Sequence, residues 1–491
     1  MVSAMREISG LDVLALDRAR TSRDPRFDGR FFIAVTSTGI YCRPICPVRS
    51  PKRIHIRYYP TAAAAAEAGY RPCLRCRPEA APGSPAWLGT SAIVRRALRL
   101  IDDGCLDDGS VEDLSARLGI GMRHLDRLFM EHVGASPIAV AQTRRLHFAK
   151  RLLDETDLPI TETALAAGFG SIRRFNDAFR GAYELTPQQL RRRRRSAPAV
   201  SGEEVALRMA FRPPYDWEHM RGFLASRALA GVERVDDCGY ARTVACGAGH
   251  AVVRVSPLAG ENTLELRVRG AAPGALFSLS STARRMFDLA ADPGRIVSAL
   301  EHDPLLAAMV RTHPGLRIPG AWDPFECAVR AVLGQQVSVP AGRTFAERLV
   351  ERTGHAVSTG EPGLTHLFPS PAALALADLD GLGLTSARIG ALRALAGAVK
   401  DGLDLSGSAD DVIGALTALP GIGTWTAQYV ALRGLGEPDA FLAGDLVLRR
   451  VASSSDAPLS ARALETRADA WRPWRGYAGL HLWRAAADQD C

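Results

Sequence analysis

Helical spacing of apolar residues comes and goes along this chain, and the places where it lapses divide the chain into segments. Several short helices are predicted from residue 86 to 195. Within 111–134 the apolar residues Leu114, Leu118, Leu125, Leu128 and Phe129 fall at core spacing, with a turn at Gly119 and a second helix over 122–131. The same layout returns at 160–181, with Gly168 at the turn, a helix over 171–180, and Phe175 and Phe179 as core. Between the two, Pro137 starts a linking helix that runs through Arg144, Arg145 and Lys150. Residues 196–202 (SAPAVSG) have the composition of a short flexible linker. From 203 to about 270, a few helical turns mix with alternating stretches such as 264–268 (LELRV), which predict strands. From about 280 onward Ala/Leu-rich helical periodicity dominates.

Composition sets the scale. The 491 residues are 47% hydrophobic and 23% charged, which fits folded domains and excludes wholesale disorder; at roughly 150 residues per domain, about three are expected. No window approaches about 18 consecutive apolar residues. Arg6, Glu7, Asp12 and Asp17 stand where a signal peptide needs an apolar core, so a cytoplasmic protein is expected, neither secreted nor membrane-spanning. The net charge of +8 is uneven: residues 1–200 hold 32 Lys and Arg against 21 Asp and Glu, whereas the remaining 291 hold 29 against 32. A basic front is expected of something that meets a polyanion.

Nine cysteines change the picture further, because four lie within 35 residues: Cys42 and Cys46, then 26 residues, then Cys73 and Cys76. Two close pairs separated by a loop can bring four thiolates to the corners of a tetrahedron, the geometry of structural zinc; the alternative is four unrelated buried thiols. Cys105, Cys238, Cys246, Cys327 and Cys491 read as ordinary buried or terminal thiols. The segments FFIAVTSTGIYCRPIC (31–46) and YPTAAAAAEAGYRPCLRC (59–76) resemble the N-terminal domain of the Ada family, the methyl phosphotriester-accepting module. That resemblance implies one Zn2+ held by Cys42, Cys46, Cys73 and Cys76, with Cys42 also the methyl acceptor. A metal-held thiolate stays nucleophilic at neutral pH. Transfer from a methylated backbone phosphate would be irreversible, and the neutral thioether would remove a negative charge beside DNA and raise affinity. Arg43, Arg49, Arg71 and Arg75 lie close enough in sequence to hold the DNA backbone, and a solvated surface position fits each as well.

The paired helical units read as tandem helix-turn-helix elements. With ITETALAAGFGSIRRFNDAFRG (160–181) and the ending GAYELTPQQLRR, they resemble the AraC family DNA-binding domain over about 90–192. Arg123, His124 and Arg127 in the first unit, and Arg173, Arg174 and Asn176 in the second, carry donor patterns that suit guanine and adenine edges. Phosphate contact or plain solvation fits each of them equally. Five successive arginines at 191–195 offer at most an unspecific polyanion tether.

The C-terminal half holds the third constellation. In LPGIGTWTAQYVALR (419–433) a Pro-Gly-Ile-Gly turn between two helices lets backbone N–H groups approach a phosphate, with Gly421, Gly423 and Thr424 as the contacts. Asp445 follows about twenty residues later in FLAGDLVLRR. With RPPYDWEHMRGFLASRAL (212–229), FECAVRAVLGQQVSV (325–339) and WRPWRGYAGLHLW (471–483), this half resembles the AlkA family, 3-methyladenine DNA glycosylase II. The resemblance implies a flipped, cationic alkylpurine in a pocket walled by Trp425, Tyr429 and Trp483. Cation–π attraction there is worth about 2 kcal/mol when desolvated. Core packing of the three aromatics is the other reading. Asp445 would stabilise the oxocarbenium-like sugar and orient water. Relatives that also cut the strand carry a lysine after the hairpin glycines; Trp425 stands there, so a monofunctional glycosylase without a cofactor is expected. Gln335 and Gln336 match the loop that fills the emptied base gap, although Gln336 replaces the leucine of the best-known member and Gly444 replaces a second aspartate. No cysteine precedes a histidine, so the O6-methylguanine methyltransferase motif Pro-Cys-His-Arg is missing.

The expected architecture is multidomain α+β. It comprises a small zinc domain with four cysteine ligands (1–82), a helical tandem helix-turn-helix domain (86–195), a linker (196–202), a β-rich subdomain (203–300) and a helix-hairpin-helix glycosylase domain (301–491). The expected function is an alkylation sensor, transcriptional activator and base-excision glycosylase in one chain. Its partners would be alkylated and promoter duplex DNA, and RNA polymerase during activation. The alternative is a regulator whose glycosylase-like half only binds DNA.

Overall fold

The computed structural model describes residues 8, 11–83, 92–107, 109–193 and 204–489. Arg194, Arg195 and the linker 196–202 lie outside them. The chain forms two compact units, Met1–Pro213 with Leu258–Ser281, and Pro214–Pro257 with Thr282–Cys491. Among the described residues, no helix is long and apolar enough to cross a membrane.

The first unit begins with a helix, Val13–Ser22, capped by Asp12, whose Oδ1 accepts from Ala15 N–H at 2.7 Å. A small four-stranded sheet follows, in the order Ile56–Tyr59, Phe32–Val35, Ile40–Cys42, Arg71–Pro72. The first two pairings are antiparallel and the last is parallel, with Tyr41 opposite Pro72. The helical module then runs through Ala92–Asp102, Val111–Leu118, Met122–His132, Pro137–Glu155, Ile160–Ala166, Ile172–Tyr183 and Pro187–Arg192. Its boundaries follow local chemistry: Ser110 and Asp113 form a capping box at the start of Val111–Leu118, and Gly119 ends that helix at φ +69°. The second recognition helix starts at Ile172, not 171, because Ser171 is its N-cap; it runs past 180 because Phe179 and Tyr183 are both buried. The first likewise continues to His132. Every apolar residue expected in the core of this module is buried.

Strands Glu204–Ala210 and Thr263–Arg269, which the first unit also contains, pair antiparallel with Leu207 opposite Leu266. The alternation read at 264–268 places Leu264, Leu266 and Val268 inward. In the second unit, Glu233–Asp236, Gly239–Cys246 and Gly249–Pro257 form an antiparallel meander. Helices follow, centred on Pro324–Leu333, which is buried almost throughout and packs among Val339–Thr353, Ser386–Lys400, Ala409–Thr417 and Thr424–Arg433. Of the scattered cysteines, Cys327 is buried and Cys105 and Cys246 are half-buried. Cys238, expected buried, is exposed because it sits at the tight turn between two strands.

Candidate metal centre and candidate active site

Cys42 closes a strand, a turn brings Cys46 back toward it, and the parallel strand Arg71–Pro72 delivers Cys73 and Cys76 alongside. The four Sγ atoms lie within 4.8 Å of one another. A tetrahedral zinc with Zn–S bonds of about 2.3 Å needs sulfurs about 3.8 Å apart, so the cage fits. Hydrogen bonds among the thiols push Cys73 and Cys46 down through Cys42, and push Cys42 up through Cys46. Protons crowded between close sulfurs are what a divalent cation displaces. The Arg43 N–H donates to Cys76 Sγ at 3.3 Å.

Arg43, one of the arginines near enough in sequence to hold DNA, is instead buried. Its Nε donates to Asp28 Oδ1 at 2.8 Å and its Nη1 to the Cys76 carbonyl at 3.0 Å, so it braces the ligand loop. Arg71 pairs with Glu184 at 2.7 Å. Arg49 and Arg75 are exposed. Cys73 and Cys76 are buried, whereas Cys42 and Cys46 are half-exposed and line a cavity of about 420 Å³ edged by Val48, Arg49, Leu74 and Arg75. On the recognition helices, Arg123, His124, Arg127, Arg173 and Arg174 are exposed and Asn176 is half-buried.

In the second unit the hairpin joins helices Ala409–Thr417 and Thr424–Arg433. Gly421 has φ +79°, and a Cβ there would lie 2.8 Å from the Ala391 Cβ; a Cβ at Gly423 would meet nothing within 4 Å. Gly421, Gly423 and Thr424 are all exposed. Gln335 is occupied otherwise than expected of a DNA contact: its Nε2 donates to the Gly421 carbonyl at 3.0 Å and to Thr426 Oγ1 at 3.1 Å, and its carbonyl accepts from Arg388. The adjacent Gln336 is exposed in the left-handed region, φ +55°.

Asp445 is half-buried and is the N-cap of helix Leu446–Val451. Its Oδ1 accepts from Val447 N–H (3.0 Å), Leu448 N–H (3.1 Å) and Trp483 Nε1 (3.3 Å), and its Oδ2 from Trp425 Nε1 at 3.1 Å. Four donors, two of them amides of the helix N-terminus, fix the plane of the carboxyl group. Trp425 and Tyr429 stack with centroids 5.2 Å apart at 12°, too close to admit a base between them, so they form one aromatic slab with an open face. These residues, with Trp483, line a cavity of about 830 Å³. A Cβ at Gly444 would meet nothing within 4 Å, so the missing second aspartate has no steric cause.

Two further residues of this cavity were not anticipated from the sequence. Arg433 donates to Tyr429 Oη at 2.5 Å and to the Pro319 carbonyl at 2.6 Å, fixing the slab; its spacing of four from Tyr429 on one helix was the available signal. Phe223 arrives from helix Trp217–Ala225 and stacks under Arg433, 4.6 Å from ring to guanidinium, with no local signal for that meeting.

Three family models match the chain: the "Metal binding domain of Ada" over residues 15–79, a "Helix-turn-helix domain" over 114–193, and the "AlkA N-terminal domain" over 206–323. The "Probable bifunctional transcriptional activator/DNA repair enzyme AlkA" of Mycobacterium tuberculosis is 45% identical, across 95% of this chain and 95% of its own. The "DNA-3-methyladenine glycosylase 2" of Escherichia coli is 36% identical, across 56% of this chain and 95% of its own. In fold alone, the 3-methyladenine DNA glycosylase of Archaeoglobus fulgidus aligns with 57% of this chain and 98% of its own at a TM-score of 0.51 and 20% identity.

Proposed function

The chain belongs to the family of bifunctional transcriptional activators and DNA repair enzymes that join an Ada-type front to an AlkA-type glycosylase, and on that premise we propose how its two units act. The second unit hydrolyses the N-glycosidic bond of alkylated purines such as 3-methyladenine in duplex DNA. Asp445 carries this reading: a carboxylate lining an aromatic cavity, held by two indole N–H groups and a helix N-terminus.

Alkylation at N3 or N7 makes the base cationic and a good leaving group, so the protein need not protonate it. The base is flipped out, because its glycosidic bond cannot be reached inside the stack. It lies against the open face of the Trp425–Tyr429 slab, where the ring quadrupole favours a cation. As the bond lengthens, positive charge moves to the sugar and Asp445 stabilises it there. Asp445 also orients the water that completes hydrolysis. With Trp425 at the hairpin position where a lysine would form a Schiff base, the enzyme releases the base without cutting the strand, and needs no cofactor. The hairpin glycines and Thr424 receive a backbone phosphate, and Gln336 fills the gap the base leaves.

In the first unit, Cys42, Cys46, Cys73 and Cys76 would hold one zinc ion, which would supply a charge that favours deprotonated sulfurs. Cys42 Sγ then attacks the methyl carbon of a DNA methyl phosphotriester. The C–O bond breaks, its electron pair returns to the phosphodiester, and S-methylcysteine remains. The chain so marked binds promoter DNA through Arg123, Arg127, Arg173, Arg174 and Asn176 and activates repair genes together with RNA polymerase.

The test is release of free 3-methyladenine from alkylated duplex by the full chain, with and without a chelator. Release that the chelator leaves unchanged is expected. A folded, DNA-binding chain that releases no base would leave a regulator with a silent repair domain.

A further inference from the structure

Within the first unit, the metal-binding module is fastened to the helical module along the linking helix and at the C-terminal ends of both recognition helices. At the first recognition helix, Thr61 Oγ1 donates to the carbonyl of Val133, its C-cap, at 2.9 Å. Two residues beyond Gly134, Ser136 Oγ donates to Glu67 at 2.9 Å. Gly134 itself, at φ +76°, lies so close that a Cβ there would stand 3.0 Å from Pro60 and 3.1 Å from Ala64. At the second recognition helix, Arg71 pairs with Glu184, its C-cap, at 2.7 Å. Arg71 sits two residues before Cys73, on the strand that pairs beside Cys42's own.

Between these ends lies a buried polar seam. Lys150 Nζ, 2% exposed, donates to Glu79 Oε1 at 2.7 Å, and Glu79 is itself buried three residues after Cys76. Arg77, directly after Cys76, bridges Glu155 at 2.8 Å and Asp154 at 3.2 Å. Tyr41, directly before Cys42, shares a 2.9 Å hydrogen bond with His147 Nε2. Burial pushes His147 down to about 4, so the ring is neutral and fits a neutral partner. A buried charged seam adds little net stability beside an apolar one, but it tolerates only one docking geometry, since any slip strands a charge.

We infer that Tyr41, Glu79, His147 and Lys150 are positioning residues that lock the metal module and both recognition helices into one reading head, holding Cys42 at a fixed offset from the bases read. This rests on Cys42 being the methyl acceptor, as proposed above. Its consequence is a spacing rule: the phosphate met by the methylated sensor lies a constant number of base pairs from the bases met by the recognition helices. A tethered sensor would sample many phosphates.

The test uses the full chain, methylated on alkylated DNA, and duplexes selected by it from a random pool. Phosphate-ethylation interference is mapped for the methylated and unmethylated forms. The expected result is that methylation adds a discrete set of phosphates at one distance from the recognition-helix contacts in every selected duplex. The double variant Glu79→Gln/Lys150→Met removes both buried charges and also the Lys150–Asp154 and Arg77–Glu79 pairs, leaving Arg77 to pair Asp154 and Glu155. It should take up methyl at the wild-type rate and keep the recognition-helix contacts, yet lose the discrete set and at least tenfold of the methylation-dependent gain in affinity. Tyr41→Phe, which removes only the hydroxyl, should lose part of that gain and carries the test if the double variant fails to fold. Variants that keep both the set and the full gain overturn the lock. A wild-type chain that takes up no methyl overturns the sensor reading and the lock with it, and the methyl-uptake measurement alone reveals this.

Discussion

Replacing Asp445 by asparagine separates the cap that this carboxylate forms from the charge it would lend to catalysis. As N-cap, Oδ1 accepts from the Val447 and Leu448 amides and from Trp483; as charge, the group faces the cavity where a sugar cation would form. Asparagine caps as well as aspartate, so its carbonyl takes the Oδ1 place and keeps three of the four hydrogen bonds. Its amide then faces Trp425 Nε1, donor against donor across 3.1 Å. Losing one hydrogen bond to a charged group costs about 1.5–3 kcal/mol, which in a unit of this size lowers Tm by roughly 4–10 °C. The catalytic loss is larger. A unit charge about 4 Å from a developing cation, at an effective dielectric of about 20, contributes about 4 kcal/mol, or roughly a thousandfold in rate. Single-turnover release of 3-methyladenine, measured beside a thermal melt, should therefore fall about three orders of magnitude in a protein that still unfolds cooperatively. Asp445→Ala should match that loss and melt lower still, having lost the cap. A folded Asp445→Asn that releases base within tenfold of wild type would refute the assignment of the charge.

Three other outcomes follow from the geometry. Gly421→Ala should lower Tm by several degrees, because φ +79° costs a non-glycine residue about 1–2 kcal/mol and its Cβ meets Ala391, whereas Gly423→Ala should melt as wild type but bind duplex DNA more weakly by fluorescence anisotropy. Burial pushes Asp288 up to about 6 although it accepts from Tyr477 Oη at 2.6 Å, so the contribution of this one group to stability is fully present below pH about 4 and is lost as pH rises through 6. Asp288→Asn, which keeps the acceptor and tolerates the left-handed φ of +51°, should equal wild type in denaturant melts near pH 4 and exceed it by up to about 3 kcal/mol at pH 8. Cys42→Ser should abolish the methyl mass shift after incubation with alkylated DNA and leave base release at the wild-type rate.

What could be read from the sequence was whatever local spacing determines. The cysteine pairs sit on a strand end and a turn, so four sulfurs converge as their intervals imply. The recognition helices follow from Ser110, Gly119 and Ser171 acting as caps and stops. Asp445 was legible because it follows the hairpin at a characteristic distance, but its tie to Trp483 joins residues 38 apart and emerges only in the fold. Arginine was the least legible residue type, since a guanidinium reads the same on a DNA face and in a buried pair. Arg43 braces Asp28 and the Cys76 carbonyl, and Arg71 grips Glu184 across 113 residues. Lys150, at an ordinary place in a helix, is buried between Asp154, one turn along, and Glu79, 71 residues upstream, and only the first of these could be read locally.

The side chain of Gln335 joins two loops that are 86 residues apart in sequence, and this bears on how such an enzyme searches DNA. Its amide grips the hairpin turn at Gly421, while the next residue, Gln336, stands exposed in a left-handed conformation. If the hairpin shifts on meeting a phosphate, that hydrogen bond would carry the shift one residue along, to the side chain that would enter the base stack. Probing a base pair would then be conditional on gripping the backbone. A protein sliding over undamaged DNA could keep its wedge withdrawn between grips and meet the resistance of the stack only where it pauses.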